Sequence, residues 1–200
     1  MSAPAVVGSR RSRYNPFNIE YGVAYPLERQ FTLEVITTSA SDTQDLGEQL
    51  GRLLRPGQVV ALIGELGAGK TCLTQGIASG LGLERPVTSP TFIIANEYRS
   101  AEGAMFCHVD CFRFPEDGSL EALAMGMDEM MGDHTICVVE WADRIEPLLP
   151  SDHLRVILTY VNHRTRRLQF SACGDQSQTL LESLRDLRHG SRQIASAQDC

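Results

Sequence analysis

Eight residues, GELGAGKT (64–71), join an apolar run to a stretch with helical spacing. The run before them, VVALI (59–63), suits a strand buried on both faces. From Lys70 the spacing predicts a helix to about Ser79, closed by Gly80 and Gly82. Strand, glycine-rich loop and helix in this order complete the pattern G-x-x-x-x-G-K-[ST]. Small residues let successive backbone N–H groups turn inward around a phosphate, and the helix start adds the positive end of its dipole. In such a loop the Lys70 ammonium lies between β- and γ-phosphates, and the Thr71 hydroxyl reaches a magnesium ion. The expectation is a nucleoside triphosphate site.

The rest of the chain alternates strands and helices around that loop. FTLEVI (31–36) alternates apolar and polar residues and reads as a strand. A capping-box pattern at Ser41 and Gln44 opens a helix that places Leu46, Leu50, Leu53 and Leu54 on one face, and Pro56-Gly57 ends it. TFIIANEY (91–98), AMFCHV (104–109) and TICVV (135–139) are strand-like, and SLEALAMGMDEMM (119–131) is helical with methionines as core filler. LRVILTYV and RRLQFSA flank Asn162-His163 as a hairpin, and an amphipathic helix covers about 178–188. This order predicts an α/β, three-layer sandwich with a mixed, mostly parallel central sheet and a C-terminal hairpin. Residues 31–188 are expected to form one domain, with 1–30 a disordered extension and 189–200 a flexible tail.

Composition narrows the function classes. Of 200 residues, 18 are Lys or Arg and 25 Asp or Glu, so the net charge of −7 argues against a large basic face for nucleic acid. No apolar run approaches the roughly 18 residues of a membrane span. The six cysteines include no C-x-x-C pair and read as reduced, mostly structural thiols of a cytoplasmic protein. The first thirty residues lack an apolar core for a secretory signal and only half fit a transit peptide.

Magnesium needs oxygen ligands, and two carboxylates end apolar strands: Asp110 after MFCHV and Glu140 after TICVV. Either is placed to support the metal or to orient an attacking water; the plainer alternative is a cap for the next turn. His108 shares a strand face with Asp110, as its partner or as a core histidine. VTSPTF (87–92) carries three hydroxyls, Thr88, Ser89 and Thr91, and Pro90 holds Ser89 extended. It reads as a nucleotide-sensing segment or as a loop entering a strand.

GELGAGKT, VTSPTF, HVDCFRF (108–114) and VVEWADRIEPLLP (138–150), in this order and at these spacings, resemble the bacterial TsaE (YjeE) family over about residues 31–173. The resemblance implies an ATPase of tRNA threonylcarbamoyladenosine biosynthesis, acting with TsaD and TsaB and meeting tRNA through them. The modified base is the adenosine beside the anticodon in tRNAs reading codons that start with A. It implies that ATP is cradled by Glu65, Leu66, Gly67, Ala68, Gly69, Lys70 and Thr71, with Cys72 next in line. Cys72 stands where many members have a second threonine. It implies that Thr71 and Glu140 ligate Mg2+, that Asp110 acts in hydrolysis, and that Trp141 packs nearby. Thr91 falls in the switch-like loop, Thr38 or Ser39 beside the nucleotide, and Arg166 at a hairpin arginine common in the family. Cys111-Phe112 departs from the usual tyrosine-containing motif and removes a hydroxyl. Competing readings are a small-molecule kinase, for which no arginine-bearing lid is evident, and a non-hydrolysing assembly factor. A GTPase would need N-K-x-D, which the sequence lacks.

Overall fold

The computed structural model describes residues 32–83, 87, 95–100 and 103–198, with side chains through residue 189. Strand β2 (Val59–Ile63) is buried along its whole length, as its unbroken apolar sequence requires. It lies between β5 (Thr135–Glu140) and β6 (Leu154–Tyr160), parallel to both. Beyond β5 come β4 (Met105–Asp110), parallel, and β3 (Ala95–Arg99), antiparallel at one edge. Beyond β6 come β7 (Arg166–Ala172) and β1 (Thr32–Thr37), each antiparallel to its neighbour. The result is a seven-stranded mixed sheet in the order β1-β7-β6-β2-β5-β4-β3.

Strand parity sorts the core into two layers, because successive side chains point to opposite faces. Val60, Leu62, Phe106, Ile136 and Val138 pack on one face with Leu46 and Leu50 of α1 (Ala40–Leu53). Leu73 and Ile77 of α2 (Lys70–Gly80) and Leu181 and Leu184 of α5 (Asp175–Gln198) complete that layer. Val59, Ala61, Cys107, Val109, Cys137 and Val139 face the other way. They meet Ala122 of α3 (Ser119–Ala124), Met127 of α4 (Met127–Met130) and Ile145 of the 3-10 segment Ala142–Leu148. The three-layer α/β architecture is as the sequence predicts.

Local boundaries differ in three places. Helix α1 is capped by Ser39, not Ser41: Asp42 N donates to Ser39 Oγ at 3.0 Å, and that hydroxyl donates to Asp42 Oδ1 at 2.7 Å. The shorter carboxylate of Asp42 does the work that a Glu or Gln does in the usual box. The 119–131 helix is split by Gly126, whose φ of 72° ends one short helix before the next begins. Met127 and Met131 fill core space as expected, whereas Met125 is exposed. Helix α5 ends later than its periodic span and also starts earlier, the start fixed by Asp152, which accepts from Gln176 N and Ser177 N and so caps the first turn. The segment VTSPTF, Val87 excepted, and the first half of TFIIANEY lie outside the described residues.

The Asp42 carboxyl is held down from the usual 3.8 to about 2, first by the Thr38 hydroxyl, then by Ser39 and the Thr38 amide. A folded-state value below the unfolded one gives stability that is complete above the unfolded value and lost as pH falls through the folded one. Asp42→Asn is therefore expected to flatten the loss of stability between about pH 4 and pH 2. Urea midpoints across that range test it, and identical acid limbs in the two proteins would contradict it.

Helices α1 and α2 cross at unusually short range. A Cβ on Gly76 would sit 2.1 Å from Gln44 O, and one on Gly47 would sit 2.4 Å from Leu73 O. Backbone meets backbone there, so neither side has a flexible atom to move. Gly76→Ala should lower stability by about 2–3 kcal/mol, despite alanine's better helix propensity. Denaturant unfolding decides this, and a stabilised variant would show that the helices can separate freely.

Candidate functional site: a phosphate loop with two strand-end carboxylates

The topology gathers the site at one end of the sheet. Strands β2, β4, β5 and β6 are parallel, so Ile63, Asp110, Glu140 and Tyr160 finish at the same end. The β6–β7 hairpin turns there and delivers Arg166, and Thr37 pairs with Arg166 in register, which brings Thr38 and Ser39 to that end. Crevices beyond the carboxyl ends of parallel strands are where open α/β sheets bind ligands.

The loop between β2 and α2 is built as the sequence dictates. Gly69, with φ 105°, takes the left-handed conformation that starts α2, which a side chain would strain. Ala68 is buried and its N–H donates to Glu65 O at 3.1 Å, closing the turn, while Glu65 and Leu66 stand exposed. A cleft of about 300 Å³ opens beside the loop. Leu66, Gly67, Gly69, Lys70, Thr71 and Cys72 line one side, and Asp110, Phe112, Glu140 and Trp141 the other.

Lys70 is buried, and its Nζ donates to Gly64 O at 2.6 Å and Glu65 O at 3.1 Å. The same nitrogen stands 3.7 Å from the centre of the Trp141 ring. Burial lowers its pKa from the ordinary lysine value, opposed by the charges of Glu140, Asp110, Asp143 and Glu65. Trp141 holds a left-handed backbone, φ 57° and ψ 42°, a costly conformation for a bulky residue. Its ring also packs on Phe112, with the Arg144 guanidinium over both rings.

Glu140 is buried with donors around it. Thr71 Oγ1 donates to Oε2 at 2.9 Å, Thr74 Oγ1 shares its one hydrogen between Oε1 at 3.1 Å and Lys70 O at 3.0 Å, and His108 Nε2 lies 2.9 Å from Oε1. Parity explains the meeting: Glu140 continues the face of Ile136 and Val138, and His108 that of Phe106, both turned towards α2. Asp110 pairs with Glu140 in register and lines the cleft; its Oδ1 accepts from Phe112 N at 3.0 Å.

Two outlying sites from the sequence also reach this end. Arg166 Nη2 donates to Gly67 O at 3.2 Å, and its guanidinium stacks over Tyr160. Cys72 Sγ donates to Ala40 O at 3.3 Å, so the start of α1 lies beside the first turn of α2. Burial raises the Cys72 pKa, with Arg166 pulling the other way. Ser39, the residue before Ala40, spends its hydroxyl on the Asp42 cap. Thr91 lies outside the described residues. Thr74 is the residue that sequence reading missed. Its signal is its spacing, three positions after Thr71 and thus on the same helix face.

The residues present suit a metal-bound nucleotide. The Thr71 hydroxyl and the Glu140 carboxylate already meet, oxygen to oxygen, beside a buried ammonium and a glycine-built loop. Hard oxygens from one hydroxyl and one or two carboxylates are the donor set of magnesium in phosphate sites.

Fold and site together define a P-loop protein of the α/β class. A family model described as "Threonylcarbamoyl adenosine biosynthesis protein TsaE" matches residues 37–168. The tRNA threonylcarbamoyladenosine biosynthesis protein TsaE of Bacillus subtilis is 35% identical over 148 residues, which are 74% of this chain and 90% of that protein. The protein of the same description from Streptomyces coelicolor is 44% identical over 115 residues, 56% of this chain and 76% of that one. The crystal structure of Bacillus subtilis YdiB aligns with a TM-score of 0.68 at 32% identity, covering 81% of this chain and 98% of that chain. The chain belongs to the TsaE family.

Proposed function

We propose that this chain is the ATP-binding and ATP-hydrolysing subunit of tRNA threonylcarbamoyladenosine biosynthesis, working with TsaD and TsaB. The names of its relatives support the pathway. The observation that carries the nucleotide chemistry is the convergence of Lys70, Thr71, Glu140 and Asp110 on one cleft. The pair reaches tRNA, and the modified base is the adenosine beside the anticodon in tRNAs reading codons that start with A. The action belongs to the domain of residues 31–188 and takes place in the cytoplasm. No helix among the described residues is long and apolar enough to cross a membrane.

Backbone N–H groups from Glu65 to Thr71 bind the phosphates of ATP. Lys70 exchanges its carbonyl partners, Gly64 O and Glu65 O, for phosphate oxygens. Thr71 and Glu140 would hold Mg2+, whose charge neutralises that developing on the transferred phosphoryl group. Asp110 accepts a hydrogen bond from the attacking water and so orients it. Arg166 adds positive charge beside the loop from the hairpin. Alone, the site is open to solvent and hydrolysis is slow; a partner docking over the cleft mouth orders it and excludes water.

The test is reconstitution: tRNA modification by TsaD and TsaB, with and without this chain and ATP. The expected result is sustained modification only with both. Equal modification without the chain would refute the assignment. Support by a non-hydrolysable analogue alone would leave an assembly factor in its place.

A further inference from the structure

Glu140 owes its orientation to three groups on two elements, Thr71 and Thr74 of α2 and His108 of β4, and one of them is not explained by packing. His108 is fully buried in β4, with Nε2 2.9 Å from Glu140 Oε1. A carboxylate has no proton to give, so Nε2 carries the hydrogen of that bond. The other ring nitrogen, Nδ1, is buried with no hydrogen-bond partner among the described residues. A buried polar atom left in that state costs stability whether it carries a proton or a lone pair. An apolar side chain of similar size would fill the place without that cost, so what the histidine adds there is the bond made by Nε2.

What Nε2 does follows from how the carboxylate is divided. Oε1 takes a bond from His108 at 2.9 Å and a share of the Thr74 hydroxyl at 3.1 Å, whose one hydrogen also faces Lys70 O at 3.0 Å. Oε2 takes the Thr71 hydroxyl at 2.9 Å. With Oε1 pinned from β4 and α2, the carboxyl cannot rotate, and Oε2 stays against Thr71. We propose that His108 is a positioning residue: with Thr74 it locks Oε1 so that Oε2 and Thr71 Oγ1 form a preset oxygen pair for the nucleotide's magnesium. The proposal rests on the magnesium–nucleotide reading above. It assigns His108 no contact with nucleotide or metal.

The test uses the full chain with His108→Leu and His108→Gln; the Gln amide places an N–H where Nε2–H stands. In the protein without nucleotide, imidazole 15N shifts should show His108 protonated at Nε2. A bare Nε2 would overturn the proposal. Calorimetry then measures binding of a non-hydrolysable ATP analogue with and without Mg2+. Without the metal, both variants should bind within about twofold of the parent. With it, His108→Leu should lose about tenfold, the size expected when a group behind a metal ligand is removed. His108→Gln should recover most of that loss.

In a Glu140→Gln background His108→Leu should add nothing, since it acts through that carboxylate. A Leu variant with full magnesium enhancement, or equal losses in both arms, overturns the positioning role. A parent protein that binds the analogue with no magnesium enhancement overturns the underlying reading instead, and this proposal with it. Should His108→Leu not fold, Thr74→Val removes the other bond to Oε1 and should give the same metal-selective loss; an unchanged metal response there counts against the proposal.

Discussion

Lys70→Ala is expected to cut ATP hydrolysis by about 10²–10³-fold, the usual effect of removing one preorganised charge donor. The reason lies in where the ammonium sits. It is buried at the head of α2, between two loop carbonyls and the Trp141 ring. Water has already been removed from it, so little reorganisation stands between this state and a phosphate-bound one. Among the described residues that line the cleft Lys70 alone carries a full positive charge, and Arg166 stands further along the loop at Gly67 O. The fold should survive, because the deletion also relieves the burial of a charged group. Its melting temperature should stay within a few degrees of the parent, while nucleotide binding and turnover fall together. A variant that unfolds, or one that hydrolyses ATP normally, would contradict this account of the loop.

The second large effect separates the two carboxylates. Glu140→Ala removes the acceptor for Thr71, Thr74 and His108 at once. The buried His108 Nε2 and the half-buried Thr71 hydroxyl lose their acceptor, Thr74 keeps only Lys70 O, and the oxygen pair that suits magnesium is gone. Loss of magnesium-dependent ATP binding is expected, together with about 2–4 kcal/mol of stability. Asp110→Ala removes a carboxylate at the cleft edge that none of these donors uses. Binding should persist within a few-fold, and turnover should fall about 10²–10⁴-fold, the range of a lost general base or water-orienting group. Titration calorimetry with the analogue, set beside steady-state hydrolysis, resolves the two. Equal binding losses in both variants would refute the division of labour.

The parts of this site that are legible in sequence are those where local pattern and final environment coincide. VVALI predicts β2 because a strand covered on both faces leaves an unbroken apolar run. Asp110 and Glu140 stand out because each ends such a run, and strand parity puts His108 on the face of Asp110. The elements that escape pattern depend on three-dimensional meetings. Thr74 reads as helix filler until α2 is laid against β5 and its hydroxyl reaches Glu140. Trp141 reads as a packing residue; its left-handed backbone and its place under Lys70 exist only in the fold. The Ser39 cap is hidden because Asp42 replaces the Glu or Gln that the pattern seeks. The spacing of Gly47 and Gly51 against Gly76 and Gly80 is visible in the sequence, but its meaning needs the crossing of α1 over α2.

If, as proposed, ATP orders a cleft over which a partner docks, nucleotide and partner strengthen each other's binding. The most direct measurement takes the purified chain and the TsaB–TsaD pair. It records hydrolysis with and without the pair, and pair affinity with ADP against a non-hydrolysable ATP analogue. The account predicts slow hydrolysis alone, a faster rate with the pair, and tighter association with the analogue than with ADP. A pair that changes neither the rate nor the nucleotide dependence of binding would contradict it, and the small-molecule kinase reading of the same loop would then take its place.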